Sequence, residues 1–381
     1  VKEYLGYMYA KRAEPSGICL PIIPTLLMMI LCLLSSRLYV KEEVHDVAVL
    51  YDVFLTLYAE LSCCSAGCLR LKFDEVVVFD NLETGYIEAV HPKARFYQGD
   101  LRNRKEIDDV LDNESGIDAV IHFAANSLVG ESMVNPLKYY DNNVYGTKVL
   151  LESLLAHGIK NIVFSSTAAT YGEPLQTPIL ESDPTVPTNC YGETKRAMER
   201  MFHWTEVAHG IKYVSLRYFN ACGAHVNGNI GEAHNPESHL IPIILQVANG
   251  TRDHISVFGT DYDTEDGTCI RDYIHVTDLA QAHILACKYL LAGGKSDIFN
   301  LGNGIGFTVK EVIEKAKEVT GKEIKVVYEG RRAGDPAELV ASSDKAKRVL
   351  GWHPEYNDLG TIIATAWKWH STHPNGYKKG N

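Results

Sequence analysis

From Asp74 to about residue 370 the chain alternates short β-branched apolar runs with amphipathic stretches, and few architectures accept that pattern. Glu75-Val76-Val77-Val78-Phe79 reads as a buried parallel strand that closes in Asp80. Further strands are expected at 95–100, 119–124, 161–166 and 213–217. Helices are expected at about 104–113, 136–157 and 191–209. This alternation predicts an α/β fold, a doubly wound parallel sheet of the Rossmann-like kind. Ligands in such sheets sit at the carboxyl ends of the strands. Asp80, Asp100, Phe123-Ala124, Ser165–Thr167 and Tyr218–Asn220 should therefore converge on one crevice. Beyond residue 220, Gly, Asn, His and Pro become frequent, as expected of a smaller C-terminal lobe covering that crevice.

Composition narrows the partners. The 381 residues suffice for one large domain or two modest ones, and 37 Lys and Arg stand against 48 Asp and Glu, a net charge of −11. Such a chain is repelled by a phosphate backbone, and Arg331-Arg332 and Lys378-Lys379 are only pairs, so no nucleic acid is expected. A small anionic ligand needs only two or three placed cations. The nine cysteines lack zinc-ligand spacing and read as free thiols in a reducing, cytoplasmic setting. Residues 15–36 carry no charge and are long enough to cross a bilayer, or to act as a signal, but Pro21 and Pro24 interrupt them, which argues against a membrane segment. Residues 38–74 are apolar and Cys-rich with no motif.

Two clusters carry chemistry. A carboxylate ending the second strand of a dinucleotide fold accepts both ribose hydroxyls and repels a 2′-phosphate, so Asp80 favours NAD over NADP. The glycine-rich turn that should precede it is absent, for only Gly6, Gly17 and Gly67 lie upstream. Gly302-Asn303-Gly304-Ile305-Gly306 imitates that turn but reads as a structural one, followed by a Thr308/Glu311 capping box. Tyr191-x3-Lys195 opens a helix 24 residues after Thr167, at a strand end. One helical turn apart, an ammonium can sit beside a phenol and lower its pKa from about 10 towards neutrality, making a general base. Tyr7-x3-Lys11 has the same spacing without that context.

These residues bring the chain, from about Glu75 to its C-terminus, to a known group: it resembles the extended short-chain dehydrogenase/reductase family, in the branch that interconverts UDP-glucose and UDP-galactose. The stretches VVVFDN, FYQGDLRN, VIHFAA, VGES, YYDNNVYGT, FSSTAATYG, YGETK, RYFNACGAH, HLIPIILQVA, DGTCIRDYIHV and RRAGDPA appear in family order. The resemblance implies transient oxidation at the sugar C4 with bound NAD, Tyr191 taking the 4-hydroxyl proton. Thr167 would hold the 4-oxygen, while Lys195 tunes Tyr191 and holds the nicotinamide ribose. It implies cofactor contacts from Asp80, Asn81, Asp100, Leu101, Phe123, Ala124, Asn142, Lys195 and Tyr218. For the UDP-sugar it implies Asn220, His239, Leu240, Phe258, Arg271, Arg332 and Asp335, with Thr167 and Tyr191 at the sugar. The two arginines supply the cations a diphosphate needs. No metal is implied. A homodimer through the helices at about 137–157 and 191–209 is. The expected organisation is an unmatched segment 1–74, an NAD-binding Rossmann-like domain 75–220 and a mainly substrate-binding lobe 221–381.

The chain departs from the family in three places. The first strand, glycine loop and first helix are missing from the reading of residues 1–74, whose abrupt end near Asp74 points to a misread frame, a wrong start or a fusion. The encoding DNA, read in all frames, tests that. Ser127 replaces a residue that is often Lys, and Leu339, of intermediate size, stands where the family limits substrate size, which leaves N-acetylated sugars open. A nucleotide-sugar dehydratase would need an acid/base pair beside Thr167, where this chain has Ala168-Ala169. A nucleotide-sugar binder that lost NAD together with its glycine loop is the remaining alternative.

Overall fold

The computed structural model describes residues 52–56, 75–114, 116–332 and 335–377. The strands are β1 Asp52–Thr56, β2 Glu75–Asp80, β3 Arg95–Gln98, β4 Ile117–His122, β5 Asn161–Thr167, β6 Lys212–Tyr218 and β7 Asn220–Cys222. They continue with β8 Ile255–Phe258, β9 Ile270–His275, β10 Asp297–Leu301, β11 Gly306–Thr308, β12 Val326–Glu329 and β13 Glu338–Leu339. The helices that matter to the site are α1 Arg104–Asn113, α2 Val129–Val134, α3 Pro136–Tyr139, α4 Gly146–Ala156, α5 Cys190–His209, α6 Leu240–Ala248 and α7 Val276–Leu291.

Seven parallel strands form the main sheet in the order β10-β6-β5-β4-β1-β2-β3. This is the doubly wound order, with its reversal beside β1. The result corrects the expectation that the family's first strand is missing. Asp52–Thr56 fills the central slot, paired in parallel with β2 on one side and β4 on the other. Without it, two buried strand edges would leave their N–H and C=O groups unpaired. A five-residue run inside unpatterned sequence carries too little signal to be read as a strand. The glycine-loop question falls on residues 57–74, and the possible membrane segment on 15–36. Both lie outside the described residues, among which no helix is long and apolar enough to cross a membrane.

The last strand of the sheet, β10, comes from well beyond residue 220, so the division expected there does not coincide with an edge of the sheet. One apolar layer packs α7 against β2, β4, β5 and β6 through Val76, Ile121, Val163, Leu216 and Leu279. The other packs α1, α4 and α5 through Val77, Ile107, Leu150, Phe164 and Phe202. Gly302–Gly306 is the structural turn expected: the Asp272 carboxylate accepts the backbone N–H of Asn303 at 2.9 Å and of Gly304 at 3.1 Å. The Thr308/Glu311 capping box is present.

Helix α5 is also locked to the sheet by a charge pair. Arg217 of β6 donates to both carboxylate oxygens of Glu199 on α5, at 2.9 and 2.6 Å, and Ser166 donates to the same group at 2.6 Å. Both charged side chains are about 5% exposed. Removing one partner strands the other charge in a dry place. Arg217→Met should therefore cost about 3–5 kcal/mol of folding stability, read as a lowered urea midpoint; a loss below about 1 kcal/mol would mean that solvent reaches Glu199.

Candidate active site

Two groups of side chains assemble at the carboxyl ends of the strands. The first is a groove lined by Asp80, Asn81, Asp100, Leu101, Ala124 and Asn142, six of the nine residues expected to touch the cofactor. Asp80 is buried at the end of β2, and its Oδ1 accepts the N–H of Leu82 at 2.6 Å. Leu82 takes the left-handed backbone, φ 58°, which is uncommon for a residue with a side chain. Burial pushes the Asp80 carboxyl up to about 6, against the pull of that one N–H. Asp100 behaves in the opposite way: Arg102 grips it at 2.6 and 2.9 Å and holds it at about 2.

The second group surrounds the start of α5. The Lys195 ammonium, on a residue 2% exposed, donates to the Ser165 carbonyl of β5 at 2.8 Å. It lies 5.9 Å from the centre of the Tyr191 ring and 4.9 Å from that of Phe164. Thr167 closes β5, and its Oγ1 accepts the Ala169 N–H at 3.1 Å. Gly192 lets the helix come this close, for a Cβ there would stand 2.4 Å from the Ala169 carbonyl oxygen. Asn189 caps the helix by accepting the Gly192 N–H at 2.8 Å. The Tyr218 hydroxyl bonds Ser165 Oγ, so Tyr218 joins this group, whereas Phe123 is buried against His283 at 4.6 Å between ring centres.

Several residues that sequence reasoning missed hold the two groups together. The expected helix 136–157 is α3, a π-helical stretch Tyr140–Tyr145, and α4. Such bulges often mark functional sites. This one turns Asn142 to the groove and buries Asn143. Asn143 accepts the Asn126 N–H at 2.7 Å, and donates to the Asn126 carbonyl and to Thr194 of α5, both at 3.0 Å. Ser132 of α2 accepts the Tyr191 N–H at 3.1 Å. His122 is driven down to about 3 by burial and then by the Lys195 charge. It is a neutral imidazole, held by Thr147 at 2.9 Å. A buried Asn inside an otherwise apolar helix face was the available signal for Asn143.

The residues expected at the nucleotide-sugar form a third set. Arg332 donates to Asp335 at 2.9 and 3.1 Å and lies 5.5 Å from the Phe258 ring centre. Arg271 reaches within 4.0 Å of the same carboxylate. Leu339 pairs with Arg271, and Asn220 with Tyr273, across neighbouring strands. Leu240 opens α6. His239 stands apart from the arginines in its bonding, its Nδ1 2.5 Å from Glu232.

A family model described as the NAD dependent epimerase/dehydratase family matches residues 65–302. The chain belongs to this family. It is 59% identical over 308 residues to UDP-glucose 4-epimerase of Halalkalibacterium halodurans, covering 81% of this chain and 92% of that one. It is 58% identical over 304 residues to that of Lacticaseibacillus casei, covering 80% and 92%. A crystal structure of UDP-glucose 4-epimerase superposes with a TM-score of 0.84 at 52% identity, covering 86% of this chain and all of the other. The Bifidobacterium longum enzyme in complex with NAD+ and UDP superposes with a TM-score of 0.80 at 36% identity, again over 86% of this chain.

Residues present here suit the coenzyme of this epimerase/dehydratase family. The groove sits at the topological switch point, Asp80 could offer its carboxylate to ribose hydroxyls, and Ser127, next to the groove residue Asn126, carries a buried hydroxyl with no partner among the described residues. Because hydroxyls bind best to the ionised carboxylate, NAD affinity should fall as pH drops through about 6 and stay level above it. Calorimetric titration of cofactor-stripped protein checks this: Asp80→Asn should abolish the pH dependence, and an unchanged profile in that variant would assign it elsewhere.

Proposed function

We propose that this chain interconverts UDP-glucose and UDP-galactose by transient oxidation at the sugar C4. The observation that carries the reading is the buried Lys195 ammonium, bonded to the Ser165 carbonyl near the end of β5 and 5.9 Å from the centre of the Tyr191 ring. Bound NAD would supply a reversible hydride acceptor for C4. Asp80, Asn81, Asp100, Leu101, Ala124 and Asn142 would hold it, with Phe123, Lys195 and Tyr218 towards its reactive end. Tyr191 takes the proton of the 4-hydroxyl and gives it back to the opposite configuration. Lys195 favours the ionised phenol that this requires, as any close cation does. Thr167 holds the 4-oxygen through both half-reactions. Arg271 and Arg332 bind the diphosphate, Asp335 keeping them oriented until it arrives, and Phe258, Asn220, His239 and Leu240 bound the nucleotide. Because the sugar is anchored by its diphosphate, the pyranose can turn over between the two hydride steps without leaving.

Tyr191→Phe should lower kcat by about 100- to 10,000-fold while UDP affinity and NAD content hold. Coupled assay of UDP-galactose formation with equilibrium UDP binding checks it, and a loss below tenfold would remove Tyr191 from the proton transfer.

The same reading includes a homodimer. Apolar side chains stand exposed on the helices expected to pair, Leu137 80%, Val207 64% and Trp204 58%, and on α2 just before them, Val134 76%. Patches of this kind mark association surfaces. Light scattering should return the mass of two chains, and of one chain for Leu137→Lys with Trp204→Lys; a wild-type monomer would contradict the assignment. Cys190, Cys222, Cys269 and Cys287 are all free, which supports a reducing, cytoplasmic setting.

A further inference from the structure

The segment that leads into α6 reads Gly231-Glu232-Ala233-His234-Asn235-Pro236-Glu237-Ser238-His239, an E-x-H-x2-E-x-H pattern. We propose that Glu232, His234, Glu237 and His239 bind one divalent transition-metal ion of the zinc class, which fixes this segment against the C-terminal helix Leu359–Thr372. One ligand atom from each of the four lies within 4.8 Å of all the others. His234 Nδ1 stands 3.0 Å from Glu232 Oε1 and 3.5 Å from Glu237 Oε1, and His239 Nδ1 stands 2.5 and 3.9 Å from the same two oxygens. Ligands about 2.0–2.2 Å from a tetrahedral zinc are about 3.3–3.6 Å apart, a range that the four His–Glu separations, 2.5–3.9 Å, straddle. The two imidazole planes are nearly perpendicular, at 83°, an arrangement compatible with two ligands on one centre.

Charge points the same way. Glu232, His234 and Glu237 have side chains no more than 10% exposed. Two buried carboxylates and two neutral imidazoles around a divalent cation sum to zero. The donors, two nitrogens and two oxygens, suit zinc and its neighbours and not magnesium or calcium.

The surrounding shell holds the quartet in place. Glu237 Oε1 also accepts the N–H of Ser238 at 2.8 Å and of His239 at 2.9 Å. Trp369 of the C-terminal helix donates to the Glu232 carbonyl at 2.9 Å, and the Tyr377 hydroxyl accepts the Gly231 N–H at 3.1 Å. Supporting bonds of this kind fix ligand orientation. A cavity bordered by Glu232, His234, Glu237, Gln246 and His370 adjoins the quartet and leaves room for a solvent ligand. The site is outside the coenzyme groove, and its ion would set the position from which His239 and Leu240 approach the nucleotide.

The test uses the full chain after treatment with a chelator. Titrated Co2+ should bind at one ion per chain with a visible d–d band and no near-ultraviolet thiolate band, and Zn2+ should displace it and raise the unfolding temperature. His234→Gln and Glu232→Gln should each weaken Co2+ binding at least about tenfold, the loss of one ligand's contribution. X-ray absorption at the zinc edge of the wild-type protein should show nitrogen and oxygen neighbours only. No uptake, uptake unchanged in both variants, or sulfur in the first coordination shell would each overturn the proposal.

Discussion

The site depends on one buried ammonium. Lys195 lies almost wholly out of water, where an unpaired cation would be costly, so it must find partners inside the protein. The Ser165 carbonyl is one, at the last turn of the sheet before Thr167. That bond ties the second turn of α5 to the end of β5, and the Tyr191 ring, one helical turn earlier, has its centre 5.9 Å from the same ammonium. Gly192 permits the approach, and the Arg217–Glu199 pair keeps the helix from lifting further along its length. In the proposed reaction the cation that docks the helix would also be the one that favours an ionised phenol.

The groove alongside has its own division of labour. Burial raises the Asp80 carboxyl whereas Arg102 holds the Asp100 carboxyl down, so two similar groups at adjacent strand ends differ sharply in affinity for a proton. His122, at the end of β4, is kept neutral by burial first and by the Lys195 charge second. Asn143 spans the gap between the loop after β4 and α5, so the two halves of the site share one buried amide. The π-helical turn allows Asn142 and Asn143, neighbours in sequence, to serve different sides of that boundary.

Strand ends were legible in the sequence because burial of a parallel strand on both faces leaves a continuous apolar run with an abrupt polar stop, as at Asp80 and Thr167. Tyr191 and Lys195 were legible because spacing and context agreed. What escaped was non-local. Asp52–Thr56 becomes a strand through its two partners and not through its own pattern. Strand β10 joins the sheet from far along the chain. Asn143 matters through bonds to residues 17 and 51 positions away. His239 was marked for a nucleotide, while Glu232, His234 and Glu237, which its Nδ1 faces, carried no signal until the fold gathered them.

The central claim is that C4 itself is oxidised and reduced within one site, with the sugar held throughout by its diphosphate. UDP-glucose carrying deuterium at C4 decides it most directly. Incubated with the NAD-loaded protein in ordinary water and followed by NMR, it should give UDP-galactose with the deuterium still on C4. Deuterium lost to solvent, or found at another carbon of the product, would contradict the account.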